Sequence, residues 1–353
     1  TKDPHDTDNN YLTAICKIKG TEEIGISFAD ISTGEFKICQ VNMQQLPSIL
    51  SILDIKELLL DDELNPLDFN HMSVSKTFQE MLDFNRAEAE LCRHFKLTNL
   101  SGFGITDFKC AYPAAWAVLN YIIKTQQNTI PQLTKCTALN ISETLKMDSV
   151  TVQNLELVRH SSTRKKHGSL FWVINHTKTA MGGRRLQALL KYPSLNLTEI
   201  NHRLDAVELL KNDLLSREEI RECLVSVYDI ERLISRVVTG INNPKDIIAL
   251  KFSLIQSQQL AHILPHLTGS KKLAAISQFI TQMSQDSHPF HQIITTVSNA
   301  IVDDPSPTIR DGNVIKSGYD HDLDQLIHSF SEIKAWINQL EVVERERTGI
   351  KSL

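Results

Sequence analysis

The segment Gly168–Pro193 reads GSLFWVINHTKTAMGGRRLQALLKYP, and it decides how the second half of the chain is interpreted. Ser169 precedes an apolar run, which predicts the start of a helix. The pair Gly182-Gly183 interrupts the helical pattern before Pro193 ends it. Glycine costs roughly 1 kcal/mol relative to alanine inside a helix, and is accepted where backbones approach closely or a helix turns. The segment therefore predicts a mechanical joint at Gly182 and Gly183, with a helix break there and no catalytic side chain.

The chain that follows the joint carries apolar residues at helical spacing. One predicted helix places these side chains on a single face: Ile200, Leu204, Val207, Leu210 and Leu214. The last helix has a seam whose members step by three and four residues: Leu323, Leu326, Phe330, Ile333, Ile337 and Leu340. Such a heptad seam indicates a long packed helix, and a helix over residues 321–347 would be roughly 40 Å long. The second half is therefore predicted to be an elongated all-α domain.

The first half shows strand signals around a turn at Ser32-Thr33-Gly34. A short helix is predicted over Pro47–Leu53 and a buried strand over Ile55–Leu60. Three strands, a helix and a further strand are typical of the opening of an RNase H-like α/β domain. The organisation that follows is a polar linker remnant over 1–10, an RNase H-like domain over 11–130 and a helical domain over 131–353.

Composition limits the classes of function. The chain has 353 residues, enough for two domains, and a net charge of -5, which argues against a surface devoted to nucleic acid. Six cysteines without a C-x-x-C pair predict reduced thiols in a cytoplasmic protein. No apolar run reaches the roughly 18 residues of a membrane span, so no membrane partner is expected. A polar start without an initiator methionine suggests a piece of a longer protein.

Several motifs, in order, resemble one family over nearly the whole chain. They are Phe28–Phe36, Leu100–Gly104, Asn154–Leu157, Arg203–Val207, Asp229–Leu233, Asn243–Asp246 and Ile309–Gly312. Their order and spacing resemble the connector domain and the first part of the core, or lever, domain of the MutS DNA mismatch-repair proteins. The lever would end before the clamp that follows it in that family.

The resemblance implies a function without chemistry of its own. Connector and lever would couple the recognition of mismatched duplex DNA to the ATPase of the full-length protein, offer a docking surface to MutL, and belong to a parent homodimer. The sequence holds no G-x-x-x-x-G-K-[ST] motif, so no P-loop is expected. We therefore expect neither enzyme activity nor a cofactor in this chain, ATP and Mg²⁺ being bound elsewhere in the full-length relative.

Two other functions stay open from the sequence. A MutS-related helical scaffold acting in recombination would share these motifs. A magnesium-dependent nuclease on the RNase H-like fold would gather carboxylates from Asp30, Glu57, Asp61 and Asp62. The favoured alternative is that Asp30 supports the following turn and that Asp61-Asp62 end a strand.

The remaining candidate sites each have a plain structural explanation. The densest basic run includes Arg159, Arg164, Lys165 and Lys166 and predicts either phosphate contacts or a solvated loop. Arg184 and Arg185 lie beside the glycine pair. We expect one of them to meet solvent or an acidic partner, and the other to pack through the aliphatic stem of its side chain.

Two further matches are interpreted as incidental. His262 and His266 are four residues apart and could present zinc ligands, although a surface pair is favoured. Phe78-Gln79-Glu80 matches the mismatch-wedging Phe-x-Glu of the family but lies in the connector, so a chance match is favoured. We also expect the apolar seam at 323–340 to be only partly covered, which favours self-association.

Overall fold

A computed structural model describes residues 8–17, 22–61, 64, 74–78, 83–126, 132–267, 270–283, 285 and 288–349. The first half forms a mixed sheet with helices on both faces, and the second half is helical. Within the described ranges, no helix is both long enough and apolar enough to cross a bilayer.

The sheet has the strand order β5-β4-β1-β2-β3-β6. Its strands are β1 Tyr11–Lys17, β2 Glu23–Asp30, β3 Glu35–Asn42, β4 Ile55–Asp61, β5 Val74–Phe78 and β6 Thr137–Ala138. Strands β1, β2 and β3 pair antiparallel, whereas β4 joins β1 and β5 joins β4 in parallel. The predicted RNase H-like α/β architecture is confirmed.

Two apolar layers hold this sheet because successive strand residues point to opposite faces. One face, which includes Leu12 and Phe36, packs on α2 Phe84–Phe95 and α3 Tyr112–Gln126. The opposite face, which includes Ile15, packs on α1 Leu46–Ile52. The predicted helix and strand around residues 47–60 are therefore present.

Glycine at position 25 permits a close approach on the α3 side of the sheet. A Cβ built on Gly25 would lie 2.1 Å from the carbonyl oxygen of Cys110 and 2.7 Å from Cα of Ala111. Cys110 and Ala111 end the 3-10 segment Thr106–Ala111, which leads directly into α3. The sheet and this segment can therefore touch backbone to backbone only because residue 25 has no side chain.

The sheet extends beyond residue 130, where the sequence analysis placed the domain boundary. Lys37 and Ile38 of β3 pair in parallel with Thr137 and Ala138 of β6. Cys136 beside them is fully buried in the connector core.

The second half consists of helices, as predicted. They are α4 Ser149–Asn154, α5 Leu170–Ile174, α6 Ala180–Lys191, α7 Leu197–Asn212, α8 Leu214–Val225, α9 Ile230–Val238, α10 Pro244–Ile263, α11 Lys271–Met283, α12 Pro289–Ala300 and α13 His321–Thr348. Helix α10 packs against α8, α9, α11 and α12 and is the central element of this lever. On α7 the residue buried in the lever core is Ala206, whereas Leu204 and Val207 of the predicted apolar face are exposed.

The predicted C-terminal helix is present as the 28 residues of α13. Asp320 caps its start by accepting a hydrogen bond from the amide of Leu323, and Gly349 ends it in the left-handed conformation. The apolar side chains from Leu326 to Leu340 are exposed. In the described part of the chain, α13 therefore presents its apolar face to solvent.

Candidate functional site at the connector–lever joint

A buried arginine joins two helices of the lever beside the connector. Arg184 lies in α6, and its guanidinium donates to both carboxylate oxygens of Asp229 at 2.7 Å. It also donates to Glu231 at 2.6 Å. The Arg184 side chain is only 7% exposed and that of Asp229 only 11%. Removing one partner of such a buried pair leaves an uncompensated charge, so α6 and α9 are held in one relative position.

The environment of Arg184 favours its charged form. Burial alone would lower the pKa of Arg184, but the hydrogen bonds and negative charges of Asp229 and Glu231 outweigh it and raise that pKa above its ordinary value. The same Asp229 carboxylate caps α9 by accepting from the amide of Arg232 at 3.4 Å. One aspartate therefore starts α9 and ties it to α6.

The α9 helix is also attached to the connector. Ser235 is buried in α9 and its hydroxyl donates to the carbonyl of Ile31, just after β2, at 2.8 Å. From α6, Lys191 forms a 2.8 Å ion pair with Asp54, which lies between α1 and β4. Both helices that Arg184 unites therefore have their own polar contact with the sheet domain.

The linker between the two domains reinforces this joint. Thr144 forms an antiparallel bridge with Ser194, next to the end of α6. Its neighbours Leu145 and Leu195 donate backbone hydrogen bonds to Pro193 at 2.8 Å and to Glu143 at 2.9 Å. The chain that leaves the connector is thereby fixed to the end of the joint helix.

The prediction of a helix break at the glycine pair is wrong. Helix α5 ends before Asn175, and α6 begins at Ala180, so Gly182 and Gly183 lie in the first turn of a continuous helix. Thr179 caps this turn by accepting from the amide of Gly182 at 3.0 Å. Because this cap sets the helix start at Ala180, the break falls at residues 175–179, before the glycine pair.

Close packing still explains why residue 182 is a glycine. A Cβ at this position would meet the Thr179 hydroxyl at 3.0 Å and Thr177 Cβ at 3.3 Å. Gly183 is buried in the same turn. Gly182 thus lets the α5–α6 turn lie close to the helix start, and the role of the glycine pair as a mechanical joint stays a prediction.

The structure brings two members of the basic loop to one acidic group. Arg159 and Lys166 form ion pairs of 3.1 and 2.8 Å with Asp8, in the segment before β1. Arg164 and Lys165 are exposed at the tip of the same loop. Phosphate binding by these four cations stays a prediction.

The connector carboxylates have structural partners. Asp30 is buried and accepts from the amide and hydroxyl of Ser32 at 2.9 and 2.6 Å, which confirms its predicted support of the turn. Glu57 accepts from the hydroxyl of Tyr121, and Asp61 accepts from the amide of Lys17 at 3.2 Å. Asp62 lies outside the described residues. Among the residues that the structure covers, no three His, Cys, Asp or Glu side chains are grouped to hold a metal ion.

The two incidental motifs are placed as follows. His262 is in the last turn of α10, but His266 ends the separate 3-10 segment Leu264–His266, so the two do not share one α-helix. Phe78 ends β5, whereas Gln79 and Glu80 lie outside the described residues.

An open cleft of about 770 Å³ lies beside the joint, between the turn at Ser32 and helices α9 and α10. Charged side chains that line the cleft form ion pairs. Arg236 binds Asp246 at 3.0 Å, and Lys245 binds Asp304 at 3.3 Å. The Arg236–Asp246 pair links α9 to α10, whereas Lys245–Asp304 links α10 to the segment after α12.

One of Arg184 and Arg185 was expected to meet solvent or an acidic partner and the other to pack along its stem. Arg184 meets acidic partners, and Arg185 is exposed. The identity of these partners was not predicted. The signal available was the spacing Asp229-x-Glu231 at the start of α9, where acidic side chains are favoured and can also accept from a neighbouring arginine.

A sheet domain of this order, joined through the Lys191–Asp54 ion pair to a domain of packed helices, is the arrangement expected of a connector followed by a lever. Comparison with known families agrees: residues 10–134 match MutS domain II, and residues 150–349 match MutS domain III. The chain belongs to the MutS family.

Individual relatives support this membership. The chain is 35% identical over 99% of its length to the DNA mismatch repair protein MutS of Halothermothrix orenii, and covers 39% of that protein. It is 36% identical to the MutS of Methanosarcina barkeri and 33% identical to that of Dehalococcoides mccartyi, covering 40% and 39% of them. The chain thus spans about two fifths of the curated relatives it matches.

Proposed function

We propose that this chain is the connector and the first part of the lever of a cytoplasmic mismatch-repair protein. It couples the binding of mismatched duplex DNA to an ATPase carried elsewhere in the complete protein, and it performs no chemistry itself. Its connector offers a docking surface to MutL, and the complete protein acts as a homodimer. The membership of the MutS family supports this role.

The observation that carries the proposal is the Arg184–Asp229 pair. Packed helices can transmit a displacement over tens of ångströms when they switch between a few discrete packing arrangements and do not deform continuously. A buried bidentate ion pair favours such behaviour, because a partly opened pair leaves desolvated charges without partners. Rotation of α6 should therefore carry α9 with it, and α9 is attached to the connector through Ser235.

The basic loop has a secondary role in this proposal. Arg164 and Lys165 are exposed and can approach DNA phosphates. Because Arg159 and Lys166 are paired with Asp8, the isolated chain should bind duplex DNA weakly, and added salt should weaken that binding further.

The test uses the complete MutS-type protein carrying Arg184→Met, with Arg185→Met as the matched control. Arg184 is buried and paired, whereas Arg185 is its exposed neighbour in the same helix turn. We expect R184M to retain mismatch binding and basal ATP hydrolysis but to lose most of the change in ATPase rate that mismatched DNA causes. R185M should behave as the unmodified protein.

Two results would count against the proposal. One is full stimulation of the R184M ATPase by mismatched DNA, with the variant folded as judged by circular dichroism. The other is ATP hydrolysis or duplex cleavage by the purified 353-residue chain in the presence of Mg²⁺.

A further inference from the structure

Three cations from two parts of the lever, the basic loop and α9, converge on Asp8. Lys166 Nζ lies 2.8 Å from Asp8 Oδ1, and Arg159 Nη2 lies 3.1 Å from Oδ2. Arg232 of α9 donates to the backbone carbonyl of Asp8 at 2.9 Å. Each carboxylate oxygen therefore has its own cation, and the main chain has a third.

The other end of this short segment is bound to the connector. Two residues after Asp8, the amide of Asn10 donates to the buried carboxylate of Asp30 at 3.0 Å. Residue 11 then begins β1. The segment 8–10 therefore bridges the lever and the sheet at the point where the chain enters the connector.

Hydrogen bonds within the basic loop support this contact. His160 donates its amide to Lys165 at 2.9 Å, and Arg164 donates its amide to His160 at 3.0 Å. Arg159 closes the loop by donating to the carbonyl of Arg164 at 3.2 Å, while its other terminal nitrogen binds Asp8. A single guanidinium thus holds the loop conformation and the incoming segment together.

The N-terminal sequence and the basic loop carry charges of opposite sign. The first ten residues contain Asp3, Asp6 and Asp8 and only one lysine, Lys2. The loop that Asp8 meets is basic, with Arg164 and Lys165 exposed beside the two bound cations. Asp8, the one of these aspartates that the structure describes, therefore lies against a basic surface.

We propose that the surface formed by Arg159, Lys166 and Arg232 is the docking site for the segment 8–10, which leads into the connector. Asp8 acts there as a clasp. The clasp attaches this segment directly to the lever, on a route separate from the Ser235 and Lys191 contacts, and connects it through Arg232 to the Asp229–Arg184 pair. The attachment is inferred from these contacts alone and does not depend on the proposed function.

Hydrogen–deuterium exchange of the full 353-residue chain tests the clasp. We expect Asp8→Asn and Lys166→Met each to raise the exchange rate of the amides of residues 159–167 several-fold, because the loop loses its bound carboxylate. The double variant should exchange no faster than the more affected single variant, since both changes break one interaction. Asp107→Asn, which alters an exposed carboxylate on the connector, is the matched control and should leave the loop unchanged.

A charge exchange provides the second measurement. Asp8→Lys should also accelerate exchange in the loop, and combining it with Lys166→Asp should restore part of the protection by forming the reversed pair. Exchange in 159–167 that is identical in the wild type, D8N and D8K would overturn the proposal. So would strictly additive effects of D8N and K166M.

Discussion

Arg184 and Asp229, 45 residues apart in sequence, form a bidentate ion pair with both N–O distances at 2.7 Å. The pair is almost fully buried and unites the joint helix with the helix that contacts the connector. The pair therefore ties the position of α6 to that of α9.

The first prediction concerns this pair. Arg184→Met should lower the free energy of unfolding by about 3–5 kcal/mol, because Asp229 is left buried with only the more distant Arg232 nearby. Arg185→Met, at the exposed neighbouring position, should change it by less than about 0.5 kcal/mol. Urea denaturation followed by circular dichroism measures both. Equal effects of the two substitutions would refute a structural role for the pair.

A second prediction follows from the close approach at Gly25. Gly25→Ala places a methyl group 2.1 Å from the Cys110 carbonyl oxygen, so backbone must move. We expect the free energy of unfolding to fall by roughly 1–3 kcal/mol or more, the usual cost of overpacking. Gly102→Ala is the control, because nothing lies within 4 Å of its added methyl group. The test fails if both variants have the same urea midpoint.

The third prediction addresses the interdomain pair of Lys191 and Asp54. Their side chains are 12% and 18% exposed, so solvent screens them little. A double-mutant cycle with Lys191→Met and Asp54→Asn should give a coupling energy in the range of roughly 0.5–3 kcal/mol. The exposed pair Arg93–Glu90 within α2 should give less. A coupling near zero for the interdomain pair would mean that it does not fix the joint.

Acid pH should release the Asp8 clasp. Burial disfavours the charged form of Asp8 and would raise its pKa. The hydrogen bonds and positive charges of Lys166 and Arg159 outweigh this effect and hold the pKa of Asp8 below the ordinary 3.8. Because the folded-state pKa is the lower one, the stabilisation is present above about pH 4 and is lost as the pH falls through the folded value.

The measurement is the unfolding free energy of wild type and Asp8→Asn between pH 7 and pH 2. The stability difference between them should be constant near neutrality and shrink at acid pH. A difference that grows toward low pH would contradict the assignment.

The apolar face of α13 predicts concentration-dependent association of this chain. Its large side chains are 43–68% exposed: Leu326, Ile327, Phe330, Ile333, Trp336, Ile337 and Leu340. Contiguous apolar surface of this kind favours contact with a second molecule. Sedimentation velocity should show a dimer whose population rises with concentration.

A pair of substitutions on the seam tests this association. Phe330→Glu with Ile337→Glu should keep the chain monomeric, whereas Ser331→Glu with Asn338→Glu adds the same charge one residue further round the helix and should not. A monomeric wild type at high concentration would show that the prediction is wrong.

Sequence patterns predicted the elements well where local chemistry decides. The turn at Ser32 is followed by a strand as expected, and α13 starts and ends at its capping residues. The helix break was misplaced because a threonine cap at Thr179 outweighs the intrinsic cost of Gly182 and Gly183.

Ion pairs between residues far apart in the sequence were harder to predict. The acidic residues Asp229 and Glu231 can be recognised locally as a helix start, but their pairing with Arg184 is set by the packing of α6 and α9. The same holds for Asp8 and Lys166, which are separated by the whole connector. Leu204 and Val207 have helical spacing, yet they are exposed because α7 turns Ala206 to the lever core.

The most direct test of the relay is a distance measurement in the complete MutS-type protein. Spin labels on bioorthogonal side chains at the exposed positions 107 and 329 report on the connector and on α13 without disturbing the six cysteines. We predict that mismatched duplex DNA shifts the label-to-label distance between discrete populations, and that R184M abolishes the shift. A distance distribution that mismatched DNA leaves unchanged, or a shift that persists in R184M, would contradict the account.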